Sequence, residues 1–228
     1  MKNKIMLSKT IKQLLGLVGM AAIAATLLVT AASAGGGPAP AKACAFGRSL
    51  AEWQDTYFRW FAGELNIPPD ANGNSAVRNI VLMPLPNAPG DGTPGHLDVT
   101  LAPGQGFTLP LLFFLGTSYT DGTPNDPLVD RSFFETLDIT VKVAGVTVVN
   151  NANKMNYYSE FFFAPAIPIN SPPINSVIWC EDLGLVHGPL SVGTHTIKVD
   201  VKSTQALPPN FGGTILEHHN TWTVTVKP

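Results

Sequence analysis

An all-β fold is what this sequence predicts: two antiparallel sheets packed as a β-sandwich, jelly-roll or Greek-key-like, with one N-terminal amphipathic helix against it. Three observations predict it. Gly and Pro contribute 21 and 20 residues while only 13% of residues are charged, a turn-rich composition typical of all-β chains. From Val77 onward apolar residues recur at every second position in at least eight short runs, and no helical pattern separates them. The one strong helical period lies ahead of them, between Ser49 and Leu65.

The first 34 residues read as a signal peptide. Lys2, Lys4, Lys9 and Lys12 form a basic start, Leu14 to Val29 is apolar or small throughout, and Ala32-Ser33-Ala34 supplies a small-x-small cleavage site. GGGPAPAKA (35–43) has the composition of a flexible leader, and residues 44–228 form the expected single sandwich domain. Cleavage would reduce 14 basic residues to 10 against 16 acidic ones, a net charge of −6. No stretch is basic enough to track phosphates, which speaks against a nucleic-acid partner. No further apolar run reaches transmembrane length. The expected location is therefore exported, periplasmic or secreted. The two cysteines, Cys44 and Cys180, read in an oxidising compartment as one disulfide. Closing that loop stabilises a fold by about 5 kcal/mol in the chain-entropy model.

Ser49 followed by Glu52 is a capping box. Leu50, Trp53, Tyr57, Trp60 and Phe61 then recur at spacings of three and four and form an apolar stripe. Glu52, Gln54, Asp55, Arg59 and Glu64 mostly fall away from it, and Pro68-Pro69 is the expected stop. A membrane-surface helix would carry lysines or arginines on its polar face, whereas this face is mostly acidic. A carbohydrate platform would need coplanar exposed rings. Rings at helical spacing are expected to be core, so Trp53, Tyr57, Trp60 and Phe61 are assigned to packing against a sheet.

In the β body, NIVLMPLP reads as a buried strand. HLDVTLAPGQGFTLPLLFFLG reads as strand, turn at Pro103-Gly104-Gln105-Gly106, strand. In TLDITVKVAGVTVVN, Leu137, Ile139, Val141 and Val143 share a face, and Ala144-Gly145 is a two-residue hairpin turn before Val146. YYSEFFFAP and NSVIWC are further strands. The last two strands place Ile197, Val199 and Val201, then Trp222, Val224 and Val226, on inward faces, with threonines and lysines outward.

Four segments in this order, LAEWQDTYFRWFAGELNIPPD, LAPGQGFTLPL, VHGPLSVGTHTIKV and WTVTV, resemble a group of exported microbial β-rich proteins without established activity. That group carries a Trp-rich helix after the signal peptide, a Gly-turn strand pair and a late strand beginning Pro-Leu-x-x-Gly-x-His-x-Ile. The resemblance implies the architecture and no mechanism.

The candidates for chemistry are few. His195 is in phase with Ile197 and is expected to point inward, and His187, eight residues earlier, could approach it as a buried polar pair. His96 and Asp98 share a strand face at i, i+2 spacing, but nothing fixes a third ligand. His218 and His219 point to opposite faces of an extended segment. Asp121, Asn125, Asp126 and Asp130 are oxygen donors in a Gly-containing loop, which suits calcium, although their spacing is not that of an EF-hand and is also ordinary turn chemistry. Glu135, Glu160, Asp182 and Glu217 are available as a carboxylate pair for glycoside hydrolysis. No G-x-S-x-G, HExxH or phosphate-binding loop is present, and no cofactor is implied. The expectation is a non-catalytic binding or structural module at the cell envelope or outside the cell, with a protein or carbohydrate ligand. The alternative is a hydrolase of an envelope or extracellular polymer.

Overall fold

A computed structural model describes residues 45–86 and 92–228; the segments expected to be signal peptide and leader, and Cys44, lie outside the described residues. Helix α1 (Leu50–Phe61) is followed by β1 (Ala76–Val77), β2 (Ile80–Leu82), β3 (Gly95–Leu101) and β4 (Gly106–Tyr119). A short helix α2 (Arg131–Thr136) precedes β5 (Asp138–Val143) and β6 (Val146–Val149). The chain closes with β7 (Tyr158–Ser171), β8 (Ile174–His187), β9 (Gly193–Lys202) and β10 (Glu217–Val226). One sheet has the order β1-β2-β4-β8-β7 and the other β3-β10-β9-β5-β6. With α1 on the outer face of the first sheet, the molecule has three layers: helix, sheet, sheet.

The two sheets are mixed, not purely antiparallel as expected. β2 pairs with β4 in parallel, and β3 pairs with β10 in parallel. The cause is how the chain crosses the sandwich. The Pro103–Gln105 turn joins β3 in the second sheet to β4 in the first, so it is an arch between layers, not a hairpin. Each crossing reverses the chain. Two strands of one sheet separated by a single strand of the other therefore run the same way, as β2 and β4 do on either side of β3.

Layering explains which strands alternate and which do not. β9 and β10 cover the core on one face only, so Ile197, Val199, Val201, Trp222, Val224 and Val226 are buried and the residues between them are largely not. β4 is covered on both faces and is buried along twelve consecutive positions, as a strand between two layers must be. Its Phe107, Leu109, Leu112 and Phe114 enter the core between the sheets. Its Phe113 and Leu115 enter a second cluster beneath α1 with Tyr57, Phe58 and Cys180. A register shift between Pro110 and Leu112 preserves this division. The β5–β6 hairpin has the expected form, with Val143 opposite Val146 and positive φ at both Ala144 and Gly145. The buried indoles each find an acceptor: Trp53 donates to Ala45 O, Trp179 to Asp126 O and Trp222 to Pro84 O, at 2.8, 2.9 and 2.8 Å.

Helix α1 begins as expected. Ser49 caps it and Glu52 completes the box. It ends earlier than Pro68, at Phe61, where Gly63 takes φ 78° just beyond the cap residue Ala62, the usual glycine stop. Its buried stripe is also rotated from the expected one. Leu50, Trp53, Gln54, Tyr57 and Phe58 are buried, Trp60 is half-buried and Phe61 is 38% exposed. The rotation follows from a flanking wall. β7 bulges between Phe162 and Ile167, and Pro165 O in that bulge accepts from Arg59 Nη2 at 2.8 Å. Arg59 also holds Asp55 and Glu64 at 3.0 and 2.7 Å. Fixed to β7 on that side, the helix turns Phe58 inward and Phe61 outward.

Candidate functional site

Helix α1 is too short to cover the sheet on which it lies. Its 12 residues span about 18 Å, whereas the 14 residues each of β4, β7 and β8 reach about 45 Å. Beyond its C-terminal end the apolar face of the first sheet continues as an open groove of about 230 Å³. Phe113, Leu115 and Val177 form the floor, Phe58, Phe61 and Ala62 the helix wall, and Ile167, Ile169 and Ile174 the opposite wall from the β7–β8 hairpin. Thr117 is the single polar residue of the lining. Its hydroxyl donates to Asp126 Oδ2 at 2.5 Å and has no proton left for a ligand. Phe61, 38% exposed at the rim, extends the apolar surface outward.

The groove is defined by what it lacks. Sugar recognition needs several hydrogen-bonding groups beside its rings, and this lining has only the Thr117 oxygen. Its volume falls below the 300–1,000 Å³ typical of sites that enclose whole small molecules. It is large enough for one or two bulky apolar side chains, the size of the anchors that dominate protein–protein interfaces.

The candidates named from sequence do not assemble into a centre of their own. Asp126 is a structural acceptor: besides Thr117 Oγ1 it takes Thr117 N at 3.1 Å and the Tyr119 hydroxyl at 3.0 Å. Asp121 accepts from Thr123 N in a local turn at 3.0 Å, and Asp130 caps α2 through Ser132 N at 2.8 Å. Asn125 is exposed. Three of the four proposed calcium donors thus serve the backbone of the 117–132 segment. His187 is buried, stacks on Phe107 at 5.0 Å and meets Gly188 O through Nδ1 at 2.6 Å; burial depresses its pKa to about 4, which keeps it neutral. His195 is half-buried and meets Ser191 O at 2.7 Å. No hydrogen bond joins the two histidines, which belong to different sheets. His96 pairs with Asp98 at 3.1 Å on the exposed face of β3. His219 meets Asp200 and Glu217, and these hydrogen bonds raise its pKa. Among the described residues no three His, Cys, Asp or Glu side chains form a metal-binding group.

Two carboxylates do approach one another. Glu160 and Glu181 are directly opposite across β7 and β8, and the Tyr158 hydroxyl lies 3.2 Å from Glu160 Oε2 and 2.8 Å from Glu181 Oε1. Glu181 is 1% exposed, and its second oxygen accepts from Val129 N at 2.6 Å. Burial raises its pKa, against the opposing pull of the Tyr158 and Val129 bonds. With both oxygens engaged and no surface, Glu181 acts as a latch that ties the segment before α2 to the first sheet.

The residues that matter most to the groove were not singled out from sequence. Ile167, Ile169, Ile174 and Val177 carry only the signal of ordinary strand residues. What could have marked them is length: a three-turn helix cannot cover strands of fourteen residues. No family model matches the chain, and no curated protein matches it. The motif resemblance to exported microbial proteins accordingly carries nothing into the functional argument.

Proposed function

We propose that this sandwich, wound in the manner of a jelly roll or Greek key, is an exported, non-catalytic binding module that receives bulky apolar side chains of a protein partner in the groove beyond α1. The groove carries the reading: nine apolar residues around a single committed hydroxyl favour side-chain anchors over sugars. The signal-peptide pattern of residues 1–34 supports a place in the envelope or outside the cell. A randomised peptide library panned against the folded protein should yield binders of one-to-one stoichiometry rich in paired large apolar residues. Phe61→Glu, at a rim position 38% exposed, should weaken them at least about tenfold in a chain that circular dichroism shows to be folded. Failure to enrich such peptides, or binders indifferent to Phe61→Glu, would remove the proposal.

The Cys44–Cys180 bridge belongs to the same proposal. Cys180 is a free, fully buried thiol among the described residues, and burial raises its pKa well above the ordinary value. An even pair of cysteines behind a signal-peptide pattern is what supports it. Mass spectrometry of exported protein without reductant should find the two cysteine peptides joined; two alkylatable thiols would refute the bridge.

A further inference from the structure

Strand β7 stands at the edge of the first sheet, and among the described residues no strand pairs with its outer side. Residues 158–162 keep an unbroken register with β8. Alternate backbone N–H and C=O groups along about 17 Å of chain therefore point outward with no ladder partner. The bulge between Phe162 and Ile167, with Pro165 inside it, ends this regular edge. Beside the edge runs a trough of about 490 Å³, with Ala51, Glu52 and Asp55 on its helix side and Phe161, Phe162 and Ala164 on its strand side. Beyond Asp55 and Ala164 the two walls are joined, where Arg59 Nη2 donates to Pro165 O at 2.8 Å. Glu52, Phe162 and Ala164 are exposed, so the trough lies open and does not enclose a small molecule. It shares no residue with the groove beyond α1.

An edge of this kind recognises backbone. An extended segment laid along it would complete the ladder, with α1 flanking one face of the added strand. The two faces differ. Phe161 packs against the cluster beneath α1, whereas Phe162 falls on the other face of the strand and is 62% exposed. On the helix side the open charge is Glu52. The Ser49 N–H and hydroxyl both donate to its Oε2, at 2.6 and 2.7 Å, which leaves Oε1 without a hydrogen bond. Neither Glu52 nor Glu160, exposed on β7, takes part in an ion pair among the described residues. We propose that residues 158–162 of β7 form a strand-addition site for an extended, basic peptide segment. Its lysine or arginine side chains lie over Phe161 toward Glu52, and its alternate apolar side chains cover Phe162.

The cations near the trough are already engaged. Arg48 donates to Thr56 Oγ1 at 2.5 Å and lies over the Trp53 ring at 5.1 Å. Arg59 is shared between Asp55 and Glu64, and Arg131 lies over the Tyr158 ring at 4.6 Å. A ligand therefore meets a negative edge on a chain whose net charge is −2, a field that favours the approach of a basic segment. The Ser49 hydrogen bonds hold the Glu52 carboxyl below its ordinary range, so it stays charged at neutral pH. A long basic side chain suits both features of the helix side, since its methylenes pack on a ring while its head stays with the carboxylate. The same charges disfavour a second copy of this chain: pairing through β7 would bring Glu52 and Glu160 of both copies to one seam.

The probe is a short synthetic peptide of alternating lysine and valine, added to the full folded chain. It should bind one-to-one and slow hydrogen exchange at backbone amides of residues 158–162. The same peptide with every backbone nitrogen methylated keeps its charge and side chains but cannot donate to a ladder, and should bind at least about tenfold more weakly. Glu52→Gln, which preserves the capping box, should weaken the unmethylated peptide about threefold, and Phe162→Ser about tenfold. Equal binding of the two peptides overturns the proposal, because charge alone would then account for it. So does the absence of binding, or undiminished affinity in both variants. A peptide-free chain that dimerises with residues 158–162 already protected would assign the edge to a second copy and overturn it as well.

Discussion

Gly116→Ala is expected to destabilise the fold by about 3–4 kcal/mol in chemical denaturation. Gly116 in β4 lies directly opposite Trp179 in β8, and the indole lies across the glycine where a side chain would begin. A Cβ there would stand 1.8 Å from Trp179 Cε2 and 2.0 Å from Nε1. Neither partner has room to give: Trp179 is 2% exposed, its N–H is bonded to Asp126 O at 2.9 Å, and Phe211 packs edge-on against it. Relief means moving the indole, with loss of that hydrogen bond and of core packing. Because the conflict is with one side chain, it is separable by a double-mutant cycle. In a Trp179→Leu background the same Gly116→Ala change should cost less than about 1 kcal/mol. An unchanged denaturation midpoint for Gly116→Ala alone would show that the indole does not occupy that place.

Gly116 also marks what can and cannot be read from a linear sequence. The faces of the strands were legible. Leu137, Ile139, Val141 and Val143 alternate with solvated residues and are all buried, and Ala144-Gly145 could be recognised as a turn from local chemistry alone. The direction of pairing was not legible, because a period of two states which face is buried and is silent about which strand lies alongside. Hence β2 with β4, and β3 with β10, are parallel where antiparallel pairs were expected. Helix phase was half legible. Seven residues in a row, Gln54 to Trp60, include three aromatics, and more than one stripe drawn through them is apolar. The choice between Phe58 and Phe61 was made by the β7 bulge and its bond to Arg59, far away in sequence. Gln54 looked like a surface residue because its reason for burial, Thr108, is 54 positions away. α2 was hidden by its own cap. Asp130 was counted among possible calcium donors, and a six-residue helix is too short to leave a periodic trace.

Glu181→Ala should cost about 3 kcal/mol, while Glu181→Gln should cost under about 1 kcal/mol. The contrast comes from the hydrogen-bond count. Truncation to alanine strands two donors, Val129 N and the Tyr158 hydroxyl, in a place with almost no solvent. It also frees the segment that leads into α2, whose Phe133 and Phe134 pack on Phe114. Glutamine keeps a carbonyl for Val129 N and offers its amide to the Tyr158 oxygen. The tyrosine proton then turns to Glu160 Oε2, already 3.2 Å away, and every buried group retains a partner. Glutamine also removes a group whose pKa burial raises, so the part of the stability that declines as the pH climbs past the ordinary carboxylate range should flatten in this variant. The same pair of variants weighs the hydrolase alternative. An acid–base carboxylate loses its chemistry when changed to glutamine while the fold survives, whereas a latch survives glutamine and fails with alanine. A near-native denaturation midpoint for Glu181→Ala would refute the latch and return Glu160 and Glu181 to consideration as a working pair.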